Sequence, residues 1–279
     1  MSYKSVLVLV DSGPRAAKRV NFALKFAHQH GARLTGLYVA DHPSVISSIS
    51  GNHVPEVYEI LQCSLEEDAV KARALFEHEA KQVDGVQTEW RQHMGSAIST
   101  ACVNARYHDL TILGQDDHKY LGRNTPSGLP EAIALGSGKP VLVLPYAGEF
   151  DLPRHHALIG WDAGREATRA VADALPLLAC MQKVTVMIVN PQISEHGHGE
   201  VVGADIALFL ARHAINVDVK REPGLNRDVG DTLLSSAADM NVDLIVMGLY
   251  GHSRLLEMVL GGASRTILQT MTVPVLLSH

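Results

Sequence analysis

Short apolar runs alternate along this chain with longer segments in which apolar residues recur every three or four positions. The first run, Ser5–Val10, reads as a buried strand. Behind it, Val20, Ala23, Leu24 and Ala27 share one face of a helix over Ala16–His30, and Gly31 supplies its stop. Strand Arg33–Ala40 follows, then a loop of Ser, Gly, Asn and His at 42–54. A long helix from about Glu56 to Gln82 carries Ile60, Leu61, Leu65, Ala69 and Leu75. Strand Thr88–Gln92, helix Ala97–Arg106, strand Asp109–Leu113, a short helix near Leu129–Ala134 and strand Pro140–Leu144 complete a first series. The second series has strands Ala157–Trp161, Lys183–Val189, Asn216–Lys220, Asp243–Met247 and Val273–Leu277. Its helices are Glu166–Ala179, Ala204–His213, Asp231–Met240 and Ala263–Thr270, with a polar loop at 190–202. Apolar strands alternating with helices predict an α/β fold with a parallel sheet covered on both faces. Ligands of such sheets bind beyond the carboxyl ends of the strands, where strand order switches.

The two series are copies of one unit. Residues 109–145 and 243–279 align without a gap at an offset of 134 and share ten identities in 37 positions. Among these are Asp109/Asp243, Gly114/Gly248, Gly128/Gly262 and the Pro140–Leu142 and Pro274–Leu276 runs. The starts of the copies also match, at an offset of 151, which sets Asp11 against Asp162 and Gly13 against Gly164. The periodicity breaks in YAGEFDLPRHH, residues 146–156, where the copies join.

The chemistry concentrates in residues 243–266, DLIVMGLYGHSRLLEMVLGGASRT. The apolar run Leu244–Met247 ends at Gly248, Gly251 follows, and Gly261 and Gly262 precede a helix that starts at Ala263. Glycine permits close backbone approach, and a helix start offers free N–H groups with a favourable dipole, so together they suit an anion such as phosphate. The same glycines also suit simple turns. No GxxxxGK[ST] or GxGxxG motif is present.

The order Gly248, two residues, Gly251, nine residues, Gly261, then a hydroxyl at Ser264 resembles the nucleotide motif of the universal stress protein family. Gly262 departs from it, standing where that family usually has Ser or Thr. The resemblance implies two tandem Rossmann-like domains, each a doubly wound five-stranded parallel sheet, at 1–147 and 156–279. It also implies a stress-response regulatory protein that binds ATP, with Mg as a candidate companion, and signals through conformation or partner binding. An adenine contact at Asp162, the backbone of Val189 at the base, and an intrachain pseudo-dimer paired through the last strands Pro140–Leu144 and Val273–Leu277 are implied as well. A further homodimer and a regulatory protein partner belong to the same expectation. Read from the residues alone, Asp162 either caps the following helix or accepts a hydrogen bond from an exocyclic amine. Trp161 either stacks on a purine or fills its pocket. Met247 and Tyr250 are candidate pocket walls, Gly262, Ala263 and Ser264 the phosphate end, and His252 and Arg254 either phosphate contacts or solvated side chains. In the first copy Gly251, Gly261 and Ser264 become Asp117, Ser127 and Pro130. Asp116 and Asp117 place negative charge where phosphate would approach, so this copy reads as degenerate; a cation held by these aspartates is the alternative.

The rest of the sequence narrows the classes. Net charge of −6 and a pI near 6.2 speak against a large nucleic-acid surface. Cys63, Cys102 and Cys180 lack metal or redox spacing and fit a reducing compartment. The N-terminal apolar run is too short for a signal or membrane span, so a soluble cytoplasmic protein is expected. Glu195-His196-Gly197-His198-Gly199-Glu200 reads as a solvated loop rather than a metal site, and His108, His155 and His156 as structural. No catalytic triad or carboxylate pair for metal-assisted attack is evident, which favours binding over turnover. A slow ATPase or other adenine-nucleotide enzyme, and an interaction module with vestigial sites, remain the alternatives. Gly251→Asp, which adds charge and bulk at the loop, is expected to abolish nucleotide binding, read by equilibrium titration; binding as tight as in the wild type contradicts the phosphate reading.

Overall fold

The computed structural model describes residues 2–40, 54–116, 126–149, 151–190, 201–222, 228–249 and 262–279. The chain separates into two compact units, Tyr3–Ser137 and, in the main, Gly138–His279. In the first, strands β1 (Ser5–Leu9), β2 (Arg33–Ala40), β3 (Thr88–Met94) and β4 (Leu110–Gly114) lie in the order β3-β2-β1-β4. All three contacts are parallel. Parallel neighbours need a crossover, and helices α1 (Ala16–His30), α2 (Val54–Ala80) and α3 (Ala97–Ala105) supply it before α4 (Leu129–Ser137). α1 stops at Gly31, whose φ of 60° and ψ of 39° suit glycine, and whose N–H bonds back to His28. The core face of α2 is Leu65, Ala69, Ala72 and Phe76. Ile60, also carried by this helix, is 68% exposed because it falls off this stripe.

The second unit contains β5 (Val141–Leu144), β6 (His156–Gly160), β7 (Lys183–Val189), β8 (Val217–Glu222), β9 (Leu244–Gly248) and β10 (Val275–Ser278), in the order β5-β10-β9-β6-β7-β8. Five of these run parallel, with helices α5 (Arg165–Leu178), α6 (Ala204–Arg212), α7 (Val229–Asp239) and α8 (Ala263–Thr270) between them. β5, the last strand of the first copy, pairs antiparallel with β10 through Val141–Leu277, Leu142–Leu276 and Val143–Val275. The repeat in the sequence and the compact unit therefore end at different places: the repeat closes near 146, the unit at Ser137. The reason is that β5 carries an apolar edge and satisfies it, together with its backbone groups, on β10.

One carboxylate sets the strand starts in each unit. Asp109 Oδ2 accepts hydrogen bonds from the N–H groups of Lys4 and Ser5, at 2.7 and 3.0 Å. Asp243 accepts from Arg154 and His155 through Oδ2 and from His156 through Oδ1, at 2.8, 2.9 and 2.9 Å. This identity of the repeat is thus structural and lies at the amino ends of the strands.

Buried histidines link the second strand of each unit to a helix end. His108 Nδ1–H donates to the Asn104 carbonyl at 2.8 Å, which leaves Nε2 to accept from the Thr35 hydroxyl at 3.0 Å. His156 Nδ1–H donates to Met240 at 3.1 Å and Nε2 accepts from Thr185 at 2.8 Å. The two histidines occupy different places in the repeat, yet each bridges a matching threonine. Burial holds His108 below the ordinary imidazole value, opposed in part by the bond to Asn104. A histidine with a lowered folded value binds fewer protons folded than unfolded, so its contribution is complete above about pH 6.5 and is lost as pH falls below it. Denaturant midpoints measured from pH 7.5 to 5 are expected to fall more steeply for the wild type than for His108→Gln; parallel profiles contradict this.

Candidate functional site

Register gathers the sequence candidates at one end of the second sheet. Gly160 pairs with Met187 on one side and Met247 on the other. Asp162 follows Trp161 just beyond the end of β6, Val189 ends β7, and Gly248 follows Met247 at the end of β9. The Trp161 N–H continues the ladder by donating to Met187 at 2.9 Å. Because β6 sends its chain to β7 on one side and has β9 on the other, this is the switch in strand order. Trp161 and Val189 are half-buried and Met247 is buried.

The turn after β6 presents Asp162. Its Oδ1 accepts from the Gly164 N–H at 2.7 Å, and Ala163 between them has a φ of 61°. A left-handed alanine is costly and gathers at functional turns. Asp162 is exposed and, among the described residues, has no cation partner. α5 opens immediately afterwards from Gly164, with no side-chain cap. The first turn of α5 lies on Gly248: a Cβ there would stand 2.6 Å from both Ala167 N and the Glu166 carbonyl carbon. Gly248 therefore serves helix packing as well as the site. Glu166, buried at this junction, is held by Arg165 at 2.9 Å.

α8 begins where the sequence placed a phosphate-binding helix. Gly262 is its N-cap, no side chain among the described residues caps it, and Gly262 C=O accepts from Arg265 and Thr266 at 2.9 and 3.2 Å. Ala263 is half-buried and Ser264 buried. α7 connects this start to the sheet end. A Cβ at Gly230 would stand 2.8 Å from the Ala263 carbonyl oxygen, and Leu233 on the same helix comes within 3.2 Å of the equivalent point at Gly160. Asp228, the N-cap of α7, has a buried Oδ2 with no hydrogen-bond partner among the described residues. Sequence reading missed Asp228; its signal was an aspartate just ahead of a helix. Tyr250, Gly251, Gly261, His252, Arg254 and the 195–200 cluster lie outside the described residues.

The equivalent end of the first unit is built differently. Asp11 Oδ1 accepts from the Gly13 N–H at 2.8 Å, the same turn as in the second unit. Its other oxygen, however, is taken by Arg19 of α1, whose Nε donates to the Leu9 carbonyl at 2.8 Å. Arg19 is nine-tenths buried, and a Cβ at Gly114 would stand 2.7 Å from its Nη1. Asp116 accepts a hydrogen bond from the Gly128 N–H just ahead of α4, and one from the Ser127 hydroxyl at 3.3 Å. The sequence suggested that Asp116 repels an approaching phosphate; in the structure it also satisfies the helix start. Asp117 lies outside the described residues. No group of three or more metal-ligating side chains occurs among the described residues, and none of their helices is long and apolar enough to cross a membrane.

Two α/β units with Rossmann-like parallel strands, built from one duplicated sequence, define the architecture. The universal stress protein family matches the chain twice, over residues 2–145 and 153–279, and the chain belongs to that family. No curated protein matches its sequence. Among solved structures it is similar to a universal stress protein from Archaeoglobus fulgidus DSM 4304, with a TM-score of 0.69 and 17% identity over 98% of this chain and 95% of that one. A functionally unknown protein from Pseudomonas aeruginosa PAO1 is similar with a TM-score of 0.56 and 17% identity, over 99% and 92% of the two chains. At these identities the likeness is one of fold.

The contact at Gly248 gives a prediction that needs no ligand. Gly248→Ala drives a methyl group into the backbone of α5 and is expected to cost about 1–3 kcal/mol of stability, measured by denaturant unfolding of nucleotide-free protein. An unchanged midpoint would show that the glycine serves ligand approach alone.

Proposed function

We propose that this chain is a stress-response regulatory protein whose second unit binds an adenine nucleotide, ATP, and signals by conformation or by binding a protein partner. The observation that carries the reading is Asp162: an exposed carboxylate without a cation partner among the described residues, just past the end of β6 at the strand switch. Its free oxygen suits the exocyclic amine of adenine, with the Val189 backbone along the base and Trp161 and Met247 as walls. The uncapped start of α8, at Gly262, Ala263 and Ser264, suits the phosphates together with Gly248. Tyr250, Gly251 and Gly261 complete the loop between them in this reading. Asp228 beside that helix start is an acidic oxygen suited to a divalent ion carried by the phosphates. The domains in this reading are 1–147 and 156–279, close to the residues that the family matches, and the nucleotide belongs to the second.

Mass spectrometry of material released from purified, denatured protein is expected to find a single adenine nucleotide per chain. Asp162→Ala is expected to weaken ATP binding roughly tenfold, the loss of one hydrogen bond to a charged group. Ser264→Ala should weaken it modestly. ATP at about a hundred times its dissociation constant should stabilise the wild type by roughly 2.7 kcal/mol, with little hydrolysis during the melt. Two nucleotides per chain, or unaltered affinity in Asp162→Ala, contradicts the proposal; rapid turnover favours an ATPase.

A further inference from the structure

The first unit places two of its own charged side chains where the matching parts of the second show none among the described residues. At the turn after β1, the guanidinium of Arg19 donates to Asp11. The position matching Arg19 in the second copy is Ala170, which has no group able to reach Asp162. At the start of α4, Asp116 accepts from the Gly128 N–H, and the matching start of α8 at Gly262 has no side-chain cap among the described residues. The polarity of each contact matters. A carboxylate that could receive an amine receives a guanidinium N–H, and a backbone N–H that could meet an anion meets a carboxylate. One substitute is a donor replacing a donor, and the other an acceptor replacing an acceptor.

The packing around both substitutes fits permanent occupation. Arg19 is held at three points: the Leu9 carbonyl, Asp11, and close contact with Gly114, where only a hydrogen leaves room for the guanidinium. Burying an arginine is costly unless its donors are used, and two of them are engaged here by a carbonyl and a carboxylate. At the other end the charge of Asp116 is felt inside α4. Burial pushes the Glu131 carboxyl above the ordinary glutamate value, opposed by a backbone hydrogen bond, and the like charge of Asp116 adds to the rise. Pro130 in the first turn has no N–H to offer, so fewer donors there need an anion at all.

We propose that the first unit is a self-occupied copy of the site, in which Arg19 and Asp116 stand in for the two ends of a nucleotide and keep it in a ligand-independent form. The proposal rests on the nucleotide reading of the second unit for what is being replaced, but the contacts it concerns lie wholly in the first. Its consequence is a chain with one responsive unit and one constitutive unit.

Hydrogen exchange on the full chain tests it. Without nucleotide, Asp116→Asn is expected to speed exchange of the amides at 128–132 roughly fivefold, the equivalent of about 1 kcal/mol for a lost cap. Arg19→Met should likewise speed exchange over residues 10–16, with amides 262–266 unchanged in both variants. In the wild type, saturating ATP should leave 128–132 and 10–16 unchanged. Unaltered exchange at 128–132 in Asp116→Asn overturns the proposal, and so does protection of either first-unit segment by ATP in the wild type. If Arg19→Met fails to fold, the Asp116→Asn comparison decides alone. Failure of the nucleotide reading is separable: ATP would then give no protection at 262–266 while the nucleotide-free effect of Asp116→Asn would persist.

Discussion

Everything at the carboxyl ends of the second sheet depends on a clip at its amino ends. Asp243 gathers three backbone N–H groups from the start of β6 and so fixes where β6 begins relative to β9. Charge-assisted bonds to backbone are strong and directional, and in a strand a slip of one residue turns every side chain to the other face. With the start fixed, the register carries through to Gly160 opposite Met247 and Met187. Asp162, Val189 and Gly248 then each follow the carboxyl end of a strand in that register, or close it. Asp109 holds β1 in the same way in the first unit, with two N–H groups. The scaffold has thus kept one device in both copies, while the crevices at the far end have diverged.

That divergence is a matter of charge placement more than of shape. Both units make the same turn after their first strand, with an aspartate accepting from the glycine two residues on. Arg19 converts the first into an internal ion pair, and Ala170 leaves the second exposed to solvent. Both units also start a helix after the glycine pair Gly128 and Gly262, and among the described residues a carboxylate caps the first. A parallel α/β frame tolerates such exchanges because its stability resides in the buried strands and helix faces, Leu244–Val246 and Ile267 among them, and little of it in the crevice.

Most of the fold was legible because its signals are local. Apolar runs and helical spacing located the strands and helices, Gly31 stopped α1, and Gly262 preceded α8 as expected. Which of the apolar residues of α2 face the core was not legible, because spacing alone does not choose between overlapping stripes on a helix of 27 residues. The pairing of β5 with β10 was anticipated from apolar edges, but its effect on the unit boundary was not, since local pattern does not say which unit retains a strand. At the site, Asp162 and the α8 start were readable from the repeat. Arg19 was not, because a cation on a helix reads as solvated until the turn it folds against is known. Asp116 was read for its charge and not for the donor twelve residues away. Gly248 was read as room for a ligand, whereas the first turn of α5 also occupies that room.

The placement of β5 sets unequal constraints on mutation along the first copy. Arg19 and Asp116 make their described contacts within the first unit. Val141, Leu142 and Val143, by contrast, pair with Val275, Leu276 and Leu277 and shield the edge of the other copy's sheet. A change there is felt by the second unit. The two copies can therefore drift apart in what they bind, but the gene cannot shed the first copy without baring an apolar strand edge on the second.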